Sequence, residues 1–266
     1  MSRDTTDPTV RAMMRDHARA MLPGGNVDGR YSDAEVDAML DEPLEPDLVE
    51  WMEPEDSEST LEGWLRHPLL IAAWASHWPG VANRIVEWKR EQVATALKRG
   101  QWHKAVWLHE RAHRCNALVH VEHLAGKRMT NLEYWTLVEA VWIDSENIGQ
   151  NRDQWDALWT SKRTRREMVM TPEEREALAA MPDPIPVYRG CIAERNPDGL
   201  SWTLDFDRAR WFAQRFEWHG TPTVLAGDVA KADVLAYFTG RNEQEIVSQS
   251  VRITARRAVP KKEASP

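Results

Sequence analysis

Residues 243–248 read EQEIVS and set two glutamates, Glu243 and Glu245, two positions apart at the head of an apolar run. In an extended strand, residues i and i+2 project from one face, so the two carboxylates are expected side by side. On a plain surface strand this arrangement costs like-charge repulsion. Over a shared site it suits a reaction that builds positive charge on a sugar carbon. One carboxylate stabilises the cation through the sugar hydroxyls, and the other positions or deprotonates the nucleophile. The reaction class that the pair suggests is glycosyl transfer.

Two other signals precede the pair. Arg189 stands in VYRG, near the end of an apolar run and before Gly190. An arginine there can turn its fork of donors toward a phosphate, and a glycine lets a ligand approach the backbone. Ser201 stands in GLSWTLD, twelve residues on, where a glycine turn leads into a strand with Thr203 on the same face. A serine so placed can order neighbouring side chains by hydrogen bonding, and the absence of a GxSxG elbow argues against a nucleophile. Each signal alone has a plain structural reading, a surface arginine or a strand-edge serine. Their order along the chain is what makes them informative.

A competing constellation is HERAH, His109–His113. It matches the HExxH pattern, in which two histidines at i and i+4 on a helix grip zinc and the glutamate, here Glu110, acts as general base. A third ligand is undefined among Glu122, Glu133 and Glu139, and no glycine-containing extension follows. The preferred reading is a surface helix with solvated His and Glu, and no metal is expected.

These residues need elements to hold them. The expected fold class is α+β: a helical N-terminal region, then a small mixed β-sheet with flanking helices. One short helix fits 9–22, ending at ProGlyGly. Residues 32–60 have three prolines and many carboxylates, and residues 1–60 read as an acidic, partly disordered arm. From 61 to 129 the spacing is helical, with a break at Gly100–Gln101, and helices continue to MPDPIP at 181–186. TPEEREALAAM opens with a Thr cap, a proline and acidic residues, the expected start of a helix. Beyond it the period changes. Strands are expected at 187–192, 200–205, 223–229, 233–238 and 245–253, with one helix at 206–216. The tail from 256 to 266 is basic and expected to fray.

The formal charge of −8 is unevenly placed: residues 1–60 carry 16 Asp/Glu against 5 Lys/Arg, and the remainder carries 26 against 29. A weakly positive remainder suits an anionic ligand without demanding a nucleic-acid partner. The run PLLIAAWASHW falls far short of the ~20 residues a membrane span needs, and no segment resembles a signal peptide. A soluble, cytoplasmic protein without a membrane partner is expected. Cys115 and Cys191 show no pairing pattern and neither looks reactive. The 14 tryptophans are scattered without a repeat.

Taken together, aromatic-Arg-Gly, Ser-x-Thr before a helix and Glu-x-Glu before a hydrophobic strand resemble the Arg-Ser-Glu class of mono-ADP-ribosyltransferases. Phage, prophage and bacterial-toxin members are the most similar, and the resemblance covers roughly residues 130–255, including WIDSEN at 142–147. It implies NAD as co-substrate, a host or bacterial target protein as partner, and release of nicotinamide. By the same resemblance Arg189 would bind an NAD phosphate and the Gly190 backbone would receive the carboxamide. Ser201 would hold the catalytic Glu245, which in turn would hold the ribose and stabilise the oxocarbenium ion. Glu243 would orient and help deprotonate the acceptor. Glutamate in that first position is associated with an arginine acceptor. Tyr237 and Phe238 are the candidates for gripping the target, with strand-end core packing as the alternative. Trp211, Phe212, Phe216 and Trp218 compete for the nicotinamide ring. Nucleic-acid modification, NAD hydrolysis and a non-catalytic binding or inhibitor protein are the rival functions.

Overall fold

Asp7 starts the first helix: its carboxylate accepts the N–H groups of Thr9 and Val10, and Pro8 sits in the first turn, where a missing donor costs nothing. In the computed structural model, which describes residues 7–24, 30–54, 63–146, 148–240 and 243–260, this helix α1 spans Pro8–Met21. The chain divides into two units, Met1–Gly126 and Lys127–Pro266.

In the first unit, α2 (Asp33–Asp41) and α3 (Pro46–Val49) follow α1. They give an ordered structure to residues 30–54 of what reads as a partly disordered acidic arm. Val36, Met39, Leu40 and Leu48 are buried in one core with Ala18, Leu65, Val81 and Ile85. The carboxylates that suggested disorder are paired: Arg11 reaches Asp37 and Asp41 at 2.8 and 2.6 Å, and Arg15 reaches Asp37 at 2.9 Å. Spacing of the few apolar residues at three and four mattered more than overall composition. Residues 1–6, 25–29 and 55–60 of that expected arm, and 61–62 after it, lie outside the described residues.

Next comes a hairpin where helix was expected, β1 (Leu65–His67) and β2 (Leu70–Ala72), antiparallel with Leu65 opposite Ala72. The helices α4 (Pro79–Lys98), α5 (Trp102–Trp107) and α6 (Arg114–Ala125) complete the unit. Gly100, at φ +68°, makes the turn between α4 and α5 that its residue type suggested.

The second unit opens with α7 (Asn131–Asp144), α8 (Arg152–Trp159) and α9 (Pro172–Ala180). Capping boxes Thr130/Glu133 and Thr171/Glu174 start α7 and α9. The tryptophans that look scattered in sequence meet here. Trp142 packs edge-on against Trp155 and Trp159, and Trp135 stacks on Trp159. All four are buried.

The sheet consists of β3 (Ile185–Ile192), β4 (Ser201–Thr203), β5 (Pro222–Val229), β6 (Val234–Phe238), β7 (Glu245–Ser248) and β8 (Arg252–Ala258). Its order is β6-β7-β4-β3-β5-β8 and every pairing is antiparallel, which corrects the expected mixed sheet. The run expected as one strand over 245–253 is two. Gln249 and Ser250 are exposed, the Ser250 N–H turns back to Ser248 Oγ, and the chain crosses from β7 to β8 at the far edge. Arg256 and Arg257, expected in a fraying tail, lie in β8 opposite Leu225 and Val224. One helix, α10 (Phe206–Gln214), packs Ala209 and Ala213 against Val224 and Val259.

Candidate active site

Strand β3 pairs with β5 along its whole length, from Ile185 opposite Val229 to Ile192 opposite Pro222, but with β4 only at Tyr188 opposite Thr203. Beyond Tyr188 that second ladder stops. A cavity of about 500 Å³ lies there, walled by Arg189, Gly190, Ser201, Thr203, Glu243 and Glu245 among others. Its size falls in the ~300–1,000 Å³ range of small-molecule and cofactor sites. All five residues expected to act on a dinucleotide are therefore in one wall, although they are up to 56 positions apart in sequence.

Glu245 is the first residue of β7, between Phe238 of β6 and Thr203 of β4, and is only 6% exposed. Ser201 Oγ donates to its Oε1 and Trp142 Nε1 donates to its Oε2 at 3.2 Å. Two neutral donors, one on each oxygen, fix the carboxylate's orientation. Ser201 was expected in this role. Trp142 was not, because nothing in the spacing of WIDSEN indicates a contact 103 residues away.

Glu243 reaches the same cavity by a different route from the one strand alternation suggests. It precedes β7, and Gln244 between the two glutamates has φ +44°, a left-handed conformation that is costly for a residue with a side chain. Thr203 Oγ1 donates to the Glu243 carbonyl at 2.6 Å, and the Glu243 N–H turns back to Gly240 O at 3.3 Å. The two hydroxyls of Ser-x-Thr thus hold both glutamates, one by its carboxylate and the other by its backbone. The Glu243 carboxylate pairs with Arg208 of α10 at 3.1 Å. The loop that leads to Glu243 is pinned at its start by an acidic residue from the first turn of α9. Glu174 Oε1 accepts both the N–H and the hydroxyl of Thr239, at 2.8 and 3.0 Å.

Arg189 donates from Nη1 to Ser201 O at 2.8 Å and from Nη2 to Asn196 O at 3.2 Å, while its buried Nε has no partner among the described residues. Burial pulls its pKa below the ordinary arginine value, and Arg152 nearby adds to that. A guanidinium so placed gains from an anion. Gly199 makes room for it, since a Cβ there would sit 1.8 Å from Arg189 Cζ. Arg152 and Arg195 join Arg189 around a smaller adjoining recess of about 170 Å³. The residues present therefore fit a group with phosphates at one end and a sugar near Glu245. Gly190 does line the cavity, but its side-chain position is closed for another reason. A Cβ there would meet Ala209 O at 1.9 Å and Ala213 N at 2.6 Å, so glycine is what lets α10 lie on β3.

Tyr237 and Phe238 do not form a gripping surface. They are 5% and 4% exposed within β6, and the Tyr237 N–H points to Met170 Sδ at 3.2 Å. The packing alternative holds for both, because every residue of β6 is buried. Part of the loop that follows, Arg241 and Asn242, lies outside the described residues. Of the four aromatic candidates, Phe212 and Phe216 are in the cavity wall, whereas Trp211 and Trp218 are not. Burial raises both thiols, Cys115 to about 12, consistent with inert side chains.

HERAH does not lie on one helix. α5 ends at Trp107, a single tight turn covers Arg111–His113, and α6 begins at Arg114. The i and i+4 geometry is lost. His109 Nδ1 lies 2.9 Å from Ala105 O and Glu110 pairs with Lys89 at 2.9 Å. Among the described residues, no cluster of three or more His, Cys, Asp or Glu is placed to hold a metal. None of their helices is long and apolar enough to cross a membrane. No family model, curated protein or solved structure matches the chain.

Proposed function

We propose that the protein transfers ADP-ribose from NAD to an arginine of a target protein and releases nicotinamide. The observation that carries this reading is a buried carboxylate, Glu245, held by Ser201 and Trp142 in the same cavity wall as Arg189 and a second carboxylate, Glu243. Arg189 supplies an unpartnered donor for a phosphate and would keep the dinucleotide in place. Glu245 would hold a ribose hydroxyl and stabilise positive charge at the anomeric carbon as nicotinamide leaves. Nicotinamide carries positive charge in NAD, so it departs without a general acid. Glu243 would hold the acceptor and take its proton. Phe212 or Phe216 would cover the nicotinamide ring, and the surrounding walls would limit access of water.

Incubation with labelled NAD and a bacterial lysate should label a protein band. Glu243→Gln should lose transfer to arginine and keep part of the NAD hydrolysis, whereas Glu245→Gln should lose both. Equal labelling by wild type and Glu245→Gln would remove Glu245 from the reaction. A second reading, a nucleic-acid acceptor, is favoured by one feature: Trp218 is 69% exposed beside Phe216, over which Arg215 stacks at 5.2 Å. Nuclease treatment of the labelled product separates the two acceptors.

A further inference from the structure

Glu243 is expected to hold an acceptor guanidinium, and a guanidinium is already there. Arg208 Nη2 lies 3.1 Å from Glu243 Oε1. Its guanidinium carbon lies 4.7 Å from the Trp211 ring centroid and 5.1 Å from that of Phe212, a cavity-wall residue. Cation–π contact on two rings and an ion pair to a partly buried carboxylate form the environment a protein would build to seat an incoming arginine. The seat is rigid. Asp205 caps α10 by accepting the Arg208 N–H at 3.2 Å, and Thr203 holds the Glu243 carbonyl. Arg208 Nε is buried with no partner among the described residues, so the ion pair does not satisfy the whole group.

We propose that Arg208 occupies the acceptor subsite and is itself ADP-ribosylated by the same chain, an inference that rests on the function proposed above. A terminal nitrogen of Arg208 bonds to the anomeric carbon of the NAD ribose as the bond from that carbon to the nicotinamide nitrogen breaks. The electron pair leaves with nicotinamide, which becomes neutral. The proton displaced from the guanidinium passes to Glu243 and then to water. Glu243 and Arg208 belong to one chain, so the reaction is intramolecular and first order in protein.

The test is incubation of the purified full-length protein with NAD over a tenfold range of protein concentration. Nicotinamide release and modified peptides are both measured. The expected result is one ADP-ribose on Arg208, with a fractional rate that does not change with protein concentration. Excess free agmatine should reduce it severalfold, and Glu243→Gln should lose it while nicotinamide is still released. Nicotinamide release without modification of Arg208, modification of Arg210 or Arg215 in its place, or a rate that rises with protein concentration overturns the proposal. If no nicotinamide is released, the proposed function fails and this inference fails with it. The two failures are distinguishable because release is measured separately.

Discussion

HERAH in the first unit and Glu-Gln-Glu in the second are both short runs of ionisable residues with a chemical reading, but the fold treats them oppositely. In the first, the backbone changes course between Trp107 and Arg114, and the side chains are engaged in local contacts. In the second, distant residues converge: Ser201, Trp142 and Thr203 hold the two glutamates in a cavity that also contains Arg189. A motif becomes a site when residues outside it hold it in place. The surrounding residues, more than the motif, separate the two cases.

That contrast can be tested from both sides. After Glu245 itself, Arg189→Ala should act most strongly. It removes a charged donor whose Nε has no partner among the described residues, and the KM for NAD should rise about 10- to 100-fold, by the ~1.5–3 kcal/mol of a hydrogen bond to a charged group. Steady-state kinetics of nicotinamide release would check it, and an unchanged KM would remove Arg189 from the site. Trp142→Phe keeps most of the packing and deletes one donor to Glu245, so kcat should fall about 3- to 10-fold with KM little changed. A full-strength variant would mean that the Trp142 N–H is not needed to orient Glu245.

In the first unit the histidines should matter for stability alone. His67 is buried, and burial together with Arg90 lowers its pKa from 6.5 to about 4. Neutral in the folded state, it accepts the Leu69 N–H at Nδ1, 3.1 Å away. The unfolded chain binds a proton that the folded chain does not, so the stabilisation is complete above pH 6.5 and is lost as pH falls toward 4. Denaturant melts across that window should show the loss. His67→Asn, whose side chain can accept the same N–H, should flatten the curve. An unchanged slope in the variant would place the dependence elsewhere. The smallest effect is expected for the double variant His109→Ala/His113→Ala, which should release nicotinamide at the wild-type rate. A large loss of activity would restore the HExxH constellation as a functional element.

Local signals proved most readable where one residue type has one physical job. The Thr171 cap with Pro172 predicts α9, Gly100 predicts the turn after α4, and the change of period after the prolines at 181–186 predicts β3. Composition misled where pairing was hidden. The carboxylates of residues 33–41 suggest a solvated arm only while Arg11 and Arg15, more than twenty residues earlier, are left out. At the site, the strand rule placed Glu243 and Glu245 together for the wrong reason. The left-handed turn at Gln244 and the Thr203 hydroxyl achieve it. Tyr237 and Phe238 stand at the end of an expected strand, and their burial depends on neighbours such as Met170 that sequence spacing does not reveal. The same holds for Trp142. Its heptad distance from Trp135 and the i, i+4 spacing of Trp155 and Trp159 mark core positions, but not the reach of one indole N–H to Glu245.

We propose that this cavity cleaves NAD at the nicotinamide bond through Glu245. Nicotinamide release from NAD, timed for the purified full-length protein beside Glu245→Gln, tests it most directly. The account predicts steady release by wild type and a fall of at least about 10²–10³-fold in the variant, the scale on which loss of transition-state charge stabilisation acts. Release at the same rate by both, or none by wild type, would contradict it.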